Sequence, residues 1–107
     1  MNSFIDWHDH AGSRSEKFFK STLFSGEFVM VGLNCLDANQ TQSIHAHDGA
    51  DKFYFVLEGK GRFVVGEEER EAEVGMLILA PAGIPHGVTN IGNERLSLLV
   101  GMAPANR

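Results

Sequence analysis

Cysteine is nearly absent from this 107-residue chain, basic residues are few, and no apolar stretch is long. The single cysteine, Cys35, excludes an intrachain disulfide. It stands in an apolar run and reads as a small buried hydrophobe, not a reactive thiol. Nine Lys and Arg residues against 14 Asp and Glu leave a formal net charge of -5. Without a basic patch there is no electrostatic footprint for nucleic acid or for an anionic membrane, so neither is expected as a partner. No stretch approaches the ~18 apolar residues that a membrane-crossing helix needs. Residues 1–7 lack the basic segment and apolar core of a signal peptide, so the expected location is cytoplasmic. Also missing are a glycine-rich phosphate loop, a nucleophile elbow and a paired-carboxylate pattern.

What is present is a succession of short β-prone runs separated by turn residues. Residues 28–36 are β-rich, and residues 37–40 have turn chemistry. A strand is expected over residues 42–47, broken by Asp48, Gly49 and Ala50. Residues 53–57 form a continuous aromatic and aliphatic run, and residues 62–65 and 70–74 flank a hairpin tip at 66–69. Residues 76–80, 86–89 and 96–100 read as three further strands, with a stiff loop at 81–85. The charged tip Glu67-Glu68-Glu69-Arg70-Glu71 keeps a sheet edge soluble. Such spacing predicts an all-β sandwich or barrel. The length fits one domain, expected over residues 21–107. Residues 1–20 are expected to be a loose or dimer-contacting segment, with a short helix or a first strand over 15–20. Both faces of the 53–57 run are apolar, so both need cover. A second subunit is the expected outer cover, which predicts a homodimer.

His45 and His47 stand two apart on a predicted strand. Side chains at that spacing leave the same face, with Cα atoms about 6.5–7 Å apart, and two imidazoles so placed can converge on one cation at ~2.0–2.2 Å per bond. Downstream, the run from Gly75 to Asn90 contains Pro81, Gly83, Pro85 and His86. The prolines stiffen a bend, Gly83 permits a positive φ, and His86 is presented at the start of the next strand. His8 and His10 repeat the two-apart spacing, but in a polar terminal segment without a third ligand.

The run from Gly75 to Asn90 matches the second cupin motif, G(X)5PXG(X)2H(X)3N, at every fixed position. The first motif, G(X)5HXH(X)3-4E(X)6G, is matched at His45, His47 and Gly59. The chain thus resembles the small single-domain cupins over about residues 28–101. That resemblance implies a jelly-roll barrel, a double-stranded β-helix, with His45, His47 and His86 lining the interior near one mouth. Two positions depart from the pattern. Asn39 stands where the family has its first glycine, and it tolerates left-handed turns. Lys52 stands where the family has its glutamate ligand, and a protonated lysine cannot ligate a metal. Asp51, at the shorter allowed spacing, is the candidate fourth ligand, and Lys52 is a candidate substrate contact. Period two leaves open which of the two points inward.

The resemblance implies one divalent transition metal (Fe, Mn, Zn, Ni or Cu) on the three histidines, with open positions for water, a small-molecule substrate or dioxygen. An iron(II) dioxygenase is the sharpest form of that expectation. The alternative is a non-catalytic module that binds a sugar or small acid, with Lys52 as an anion contact.

Overall fold

The computed structural model describes residues 2–105. Nine strands follow one short 3-10 turn, Trp7–His10: β1 (Phe19–Ser25), β2 (Met30–Leu36), β3 (Thr41–His45), β4 (Asp51–Glu58), β5 (Lys60–Val65), β6 (Glu68–Glu73), β7 (Leu77–Ala80), β8 (His86–Asn90) and β9 (Leu96–Ala103). They form two antiparallel sheets, ordered β1-β2-β9-β4-β7 and β3-β8-β5-β6. The sheets face each other across a core of Leu36, Tyr54, Val56, Phe63, Val88 and Leu98, among others. This is the expected all-β cupin double-stranded β-helix.

Local chemistry explains the joins. Asn39 takes a φ of 70°, the left-handed turn expected where the first motif has glycine. Gly59 has a φ of 85°, and a Cβ there would stand 2.4 Å from the Arg95 carbonyl oxygen, so only glycine fits. Buried Asn90 donates to the carbonyls of Leu36 and Glu94 and accepts from the Gly92 amide, which ties three segments together.

Four expectations shift in detail. β1 occupies 19–25, whereas the sequence suggested structure only over 15–20. Its alternate residues Lys20 and Thr22 are polar and line an open barrel mouth, so the strand lacks an apolar inward face. β2 begins at Met30, not 28. β3 stops at His45, two residues before His47. β9 runs on to Ala103, because β2 and β4 both continue to pair with it there.

The β4 run alternates more than its composition suggests. Lys52, Tyr54 and Val56 are buried inward, and Phe53, Phe55 and Leu57 are half-buried on the outer face. Phe53 lies over Gly101, where any side chain would overlap its ring. Part of the outer face is covered by the chain itself. Ile5 and Trp7 border a groove with Leu23, Val31, Leu57 and Leu99. Farther along, Gly12 packs on the Phe19 ring, and Phe19 pairs with fully buried Cys35. Two hydrogen bonds anchor this segment to the β2–β3 turn: Ser13 to the Asp37 carboxylate at 2.9 Å and Gln40 to the Arg14 carbonyl at 2.7 Å. Among the described residues, no helix is long and apolar enough to cross a membrane.

Candidate metal centre

His45 ends β3 and His86 opens β8, and the two are register partners in neighbouring strands. A register shift between Gln42 and His45 re-aims the end of β3. His47 follows in the β3–β4 connection. The three side chains converge, with one ligand atom from each lying within 4.8 Å of the others. Their ring centroids are 4.5 Å (His45–His86), 4.9 Å (His45–His47) and 5.8 Å (His47–His86) apart.

Two of the rings are held by their own backbone. His45 Nδ1 lies 2.8 Å from the Ser43 carbonyl oxygen, and His86 Nδ1 lies 3.0 Å from that of Ile84. A carbonyl only accepts, so each Nδ1 donates and each neutral ring keeps its lone pair on Nε2. His86 is 1% exposed, and its Nε2 has no hydrogen-bond partner among the described residues. A buried acceptor without a partner is costly. Burial holds the His86 imidazole below its ordinary pKa of 6.5, in part opposed by its bond to Ile84 and helped to a lesser degree by the Lys52 charge. His47 is lowered in the same way, by burial first and Lys52 second. A metal requires neutral imidazoles with a free lone pair, a form that burial favours at His47 and His86, so the set fits a divalent transition ion.

The loop at 81–85 is clamped to the His47 connection. The Gly83 amide donates to the His47 carbonyl at 2.9 Å, and the Ala82 amide donates to the Asp51 carboxylate at 2.9 Å. At its far end, the Gly66 amide donates to the Pro85 carbonyl at 2.8 Å. These bonds position His86 opposite His45 and His47.

The clamp also shows where Asp51 goes. It is exposed, lies outside the three-histidine cluster and binds the loop amide, so the structure does not bring it to the site as a fourth ligand. Lys52 takes the inward position. It is 7% exposed, and its Nζ lies 4.8 Å from the Tyr54 ring centroid. Burial, with Lys20 adding to it, pushes its ammonium down to about 8. The Tyr54 ring is 6.1 Å from that of His86, and its hydroxyl donates to Gln42 at 2.6 Å. Burial raises the Tyr54 pKa, so the phenol stays protonated. Gln42, Tyr54, Lys20 and Asn34 were not singled out from the sequence. Only Tyr54 carried a signal, as the residue two along from Lys52 on one strand face.

Comparison with known proteins agrees with this fold. Residues 32–102 match the family model for the cupin domain. An uncharacterized protein of Streptomyces coelicolor, SCO3923, is 38% identical over 76 residues, which span 71% of this chain and 70% of that one. The crystal structure of TT1209 from Thermus thermophilus is 40% identical, with a TM-score of 0.92 over 96% of this chain and 98% of that one. A conserved Klebsiella pneumoniae protein with a double-stranded β-helix domain superposes with a TM-score of 0.93 over 99% of this chain and 93% of that one, at 18% identity. That last likeness is one of fold alone.

Proposed function

The chain belongs to the cupin-domain family, and from that premise we propose that His45, His47 and His86 hold one divalent transition metal at the barrel mouth, where the protein acts on a small-molecule substrate. One observation carries this reading. Three imidazoles converge within 4.8 Å, and the most buried of them, His86, leaves its Nε2 without a partner. When bound, the ion supplies Lewis acidity, or oxygen activation where it is iron.

The rest of the chemistry belongs to the chain. The Ser43 and Ile84 carbonyls fix the ring tautomers. The Asp51 and His47 clamps hold the loop in place. Three protein ligands leave open positions, which a catalytic centre needs and a closed structural site lacks. An all-imidazole set without a carboxylate in the cluster is the donor chemistry behind the iron(II) dioxygenase form of the proposal. Buried Lys52 favours a second reading, a non-catalytic module for a small acid.

Metal content measured on protein purified without chelators, beside a His47→Ala/His86→Ala control, tests the proposal. About one metal per chain, lost in the control, is the expected result. Failure to take up iron, manganese, zinc, nickel or copper on anaerobic reconstitution would overturn it. Oxygen uptake by the iron-loaded protein across a panel of small substrates separates the dioxygenase from the binding module.

A further inference from the structure

Lys52 is a cation in the wrong surroundings for a merely structural role. It is 7% exposed, yet its ammonium has no hydrogen-bond or carboxylate partner among the described residues and meets only the Tyr54 ring face. Its register partners are Met102 and Ala80. Asp51, the nearest acid in sequence, is turned to the Ala82 amide. The Lys52 ammonium has lost most of its water and meets no opposite charge in return among the described residues. Among the described residues, Asn34 is a second polar side chain without a protein partner. It is 4% exposed, and its carboxamide has no hydrogen-bond partner among the described residues.

Both side chains line one partly open cavity of about 140 Å³, together with Lys20, Thr22, Met30 and Met102. Among the described residues, no Asp or Glu lines it. Lys20 reaches it from edge strand β1, and the field of its charge is felt at both Lys52 and His47. In a chain of net charge -5, two lysines facing one carboxylate-free cavity are a local reversal of sign. The volume is enough for several waters. That admits an acid group with a few carbons.

We propose that this cavity is a carboxylate-binding subsite, in which Lys52, Asn34 and Lys20 hold the acid group of a small-molecule ligand beside the three-histidine mouth. The proposal rests on reading that mouth as a small-molecule site, and it names the substrate class. One buried ammonium balances a single negative charge, and the Asn34 amide supplies a second donor for the other carboxylate oxygen. A phosphate dianion brings more charge and more acceptors than these two buried groups satisfy. Lys20, exposed and screened, contributes attraction at the entrance more than binding strength.

The test is an NMR-detected titration of the full chain, metal-free and zinc-loaded, with acetate and succinate as probes. Acetamide serves as the neutral control and inorganic phosphate as the competing anion. Saturable carboxylate binding is expected in both forms, with shifts centred on Asn34 and Lys52. Acetamide is expected to show none, and phosphate to bind at least about tenfold more weakly. Lys52→Met should weaken acetate at least about tenfold without changing metal content. Asn34→Asp supplies an internal counter-ion, so it should abolish acetate binding while raising the Tm, and it keeps the test decisive if Lys52→Met folds poorly. Equal acetate binding by the Lys52→Met protein would overturn the subsite. So would a preference for phosphate, shifts confined to the histidines of the zinc form, or no saturable binding at ~10 mM probe. Metal lost while lysine-dependent acetate binding survives would sink the metal proposal and support this one.

Discussion

His86 directs its Nδ1 at the carbonyl oxygen of Ile84, 3.0 Å away and two residues upstream, and so turns its Nε2 into the barrel. The ring is buried, and burial holds it in the neutral form below the ordinary imidazole pKa of 6.5. His47 is displaced in the same direction by the same leading cause. The consequence is acid sensitivity. With the folded pKa depressed, the unfolded chain binds more protons as the pH falls through 6.5, so the metal-free protein loses stability there. Urea unfolding on either side of that value should show a lower midpoint on the acid side. The drop should shrink in a His47→Gln/His86→Gln variant, and an unchanged drop would mean that these two rings are not its source.

Asp51 separates a loop clamp from a metal ligand. Its carboxylate accepts from the Ala82 amide at 2.9 Å on an exposed part of the surface. Asp51→Ala is therefore expected to cost roughly 1 kcal/mol, the scale of one partly solvated hydrogen bond. Metal stoichiometry should stay at that of the unsubstituted protein. Chemical denaturation and metal analysis on the same preparation check both halves. Loss of the metal with unchanged stability would make Asp51 a ligand instead.

The clarity of each feature in the sequence depended on how rigidly it is encoded. His86 was readable because Pro81, Gly83 and Pro85 leave the loop few conformations, and the observed clamp uses the amides of Ala82 and Gly83. The choice between Asp51 and Lys52 was not readable. Alternation fixes faces only within a strand, and residues 46–50 between β3 and β4 are not one. The register of β4 on β7 and β9 decides it, and that pairing joins residues distant in sequence. The bounds of β1 were not readable because its inward residues Lys20 and Thr22 are polar, and Phe19 and Leu23 on its other side make too short an apolar pattern to place them. Asn34 lies eleven residues before His45 on another sheet, so no local spacing ties it to the site.

The two edge strands on the β6–β7 side differ in how they are protected. β6 carries Glu68, Glu69, Arg70, Glu71 and Glu73, which discourage pairing with another chain. β7 carries no charge, and its Leu77 and Leu79 are 54% and 60% exposed. We propose that a second copy covers β7 in a homodimer. Light scattering at micromolar concentration should return twice the 11.7 kDa chain mass. Leu79→Glu should return the single mass, because a buried unpaired carboxylate is costly at such a contact. A monomer in the unsubstituted protein would remove β7 as an interface.

Lys52 makes the last prediction, and its sign runs opposite to that of most stabilising charges. Its pKa is lowered from the ordinary 10.5 to about 8 by burial first and Lys20 second. Folding therefore opposes protonation, and the charged lysine burdens the native state at every pH below about 8. As the pH rises from about 8 towards 10.5, the native lysine sheds its proton before the unfolded one does, and the burden lifts. The displacement corresponds to about 3 kcal/mol, as an order of magnitude for a side chain this buried. Lys52→Met removes the charge and keeps the length of the stem. The variant should be more stable than the parent at neutral pH, and the difference should close across that alkaline window. Surface lysines titrate alike in both proteins and cancel from the comparison. A gap that stays constant with pH would show that packing, not charge, sets the cost of Lys52. Closure of the gap at neutral pH on adding acetate would show the same burden lifted by a carboxylate in the cavity.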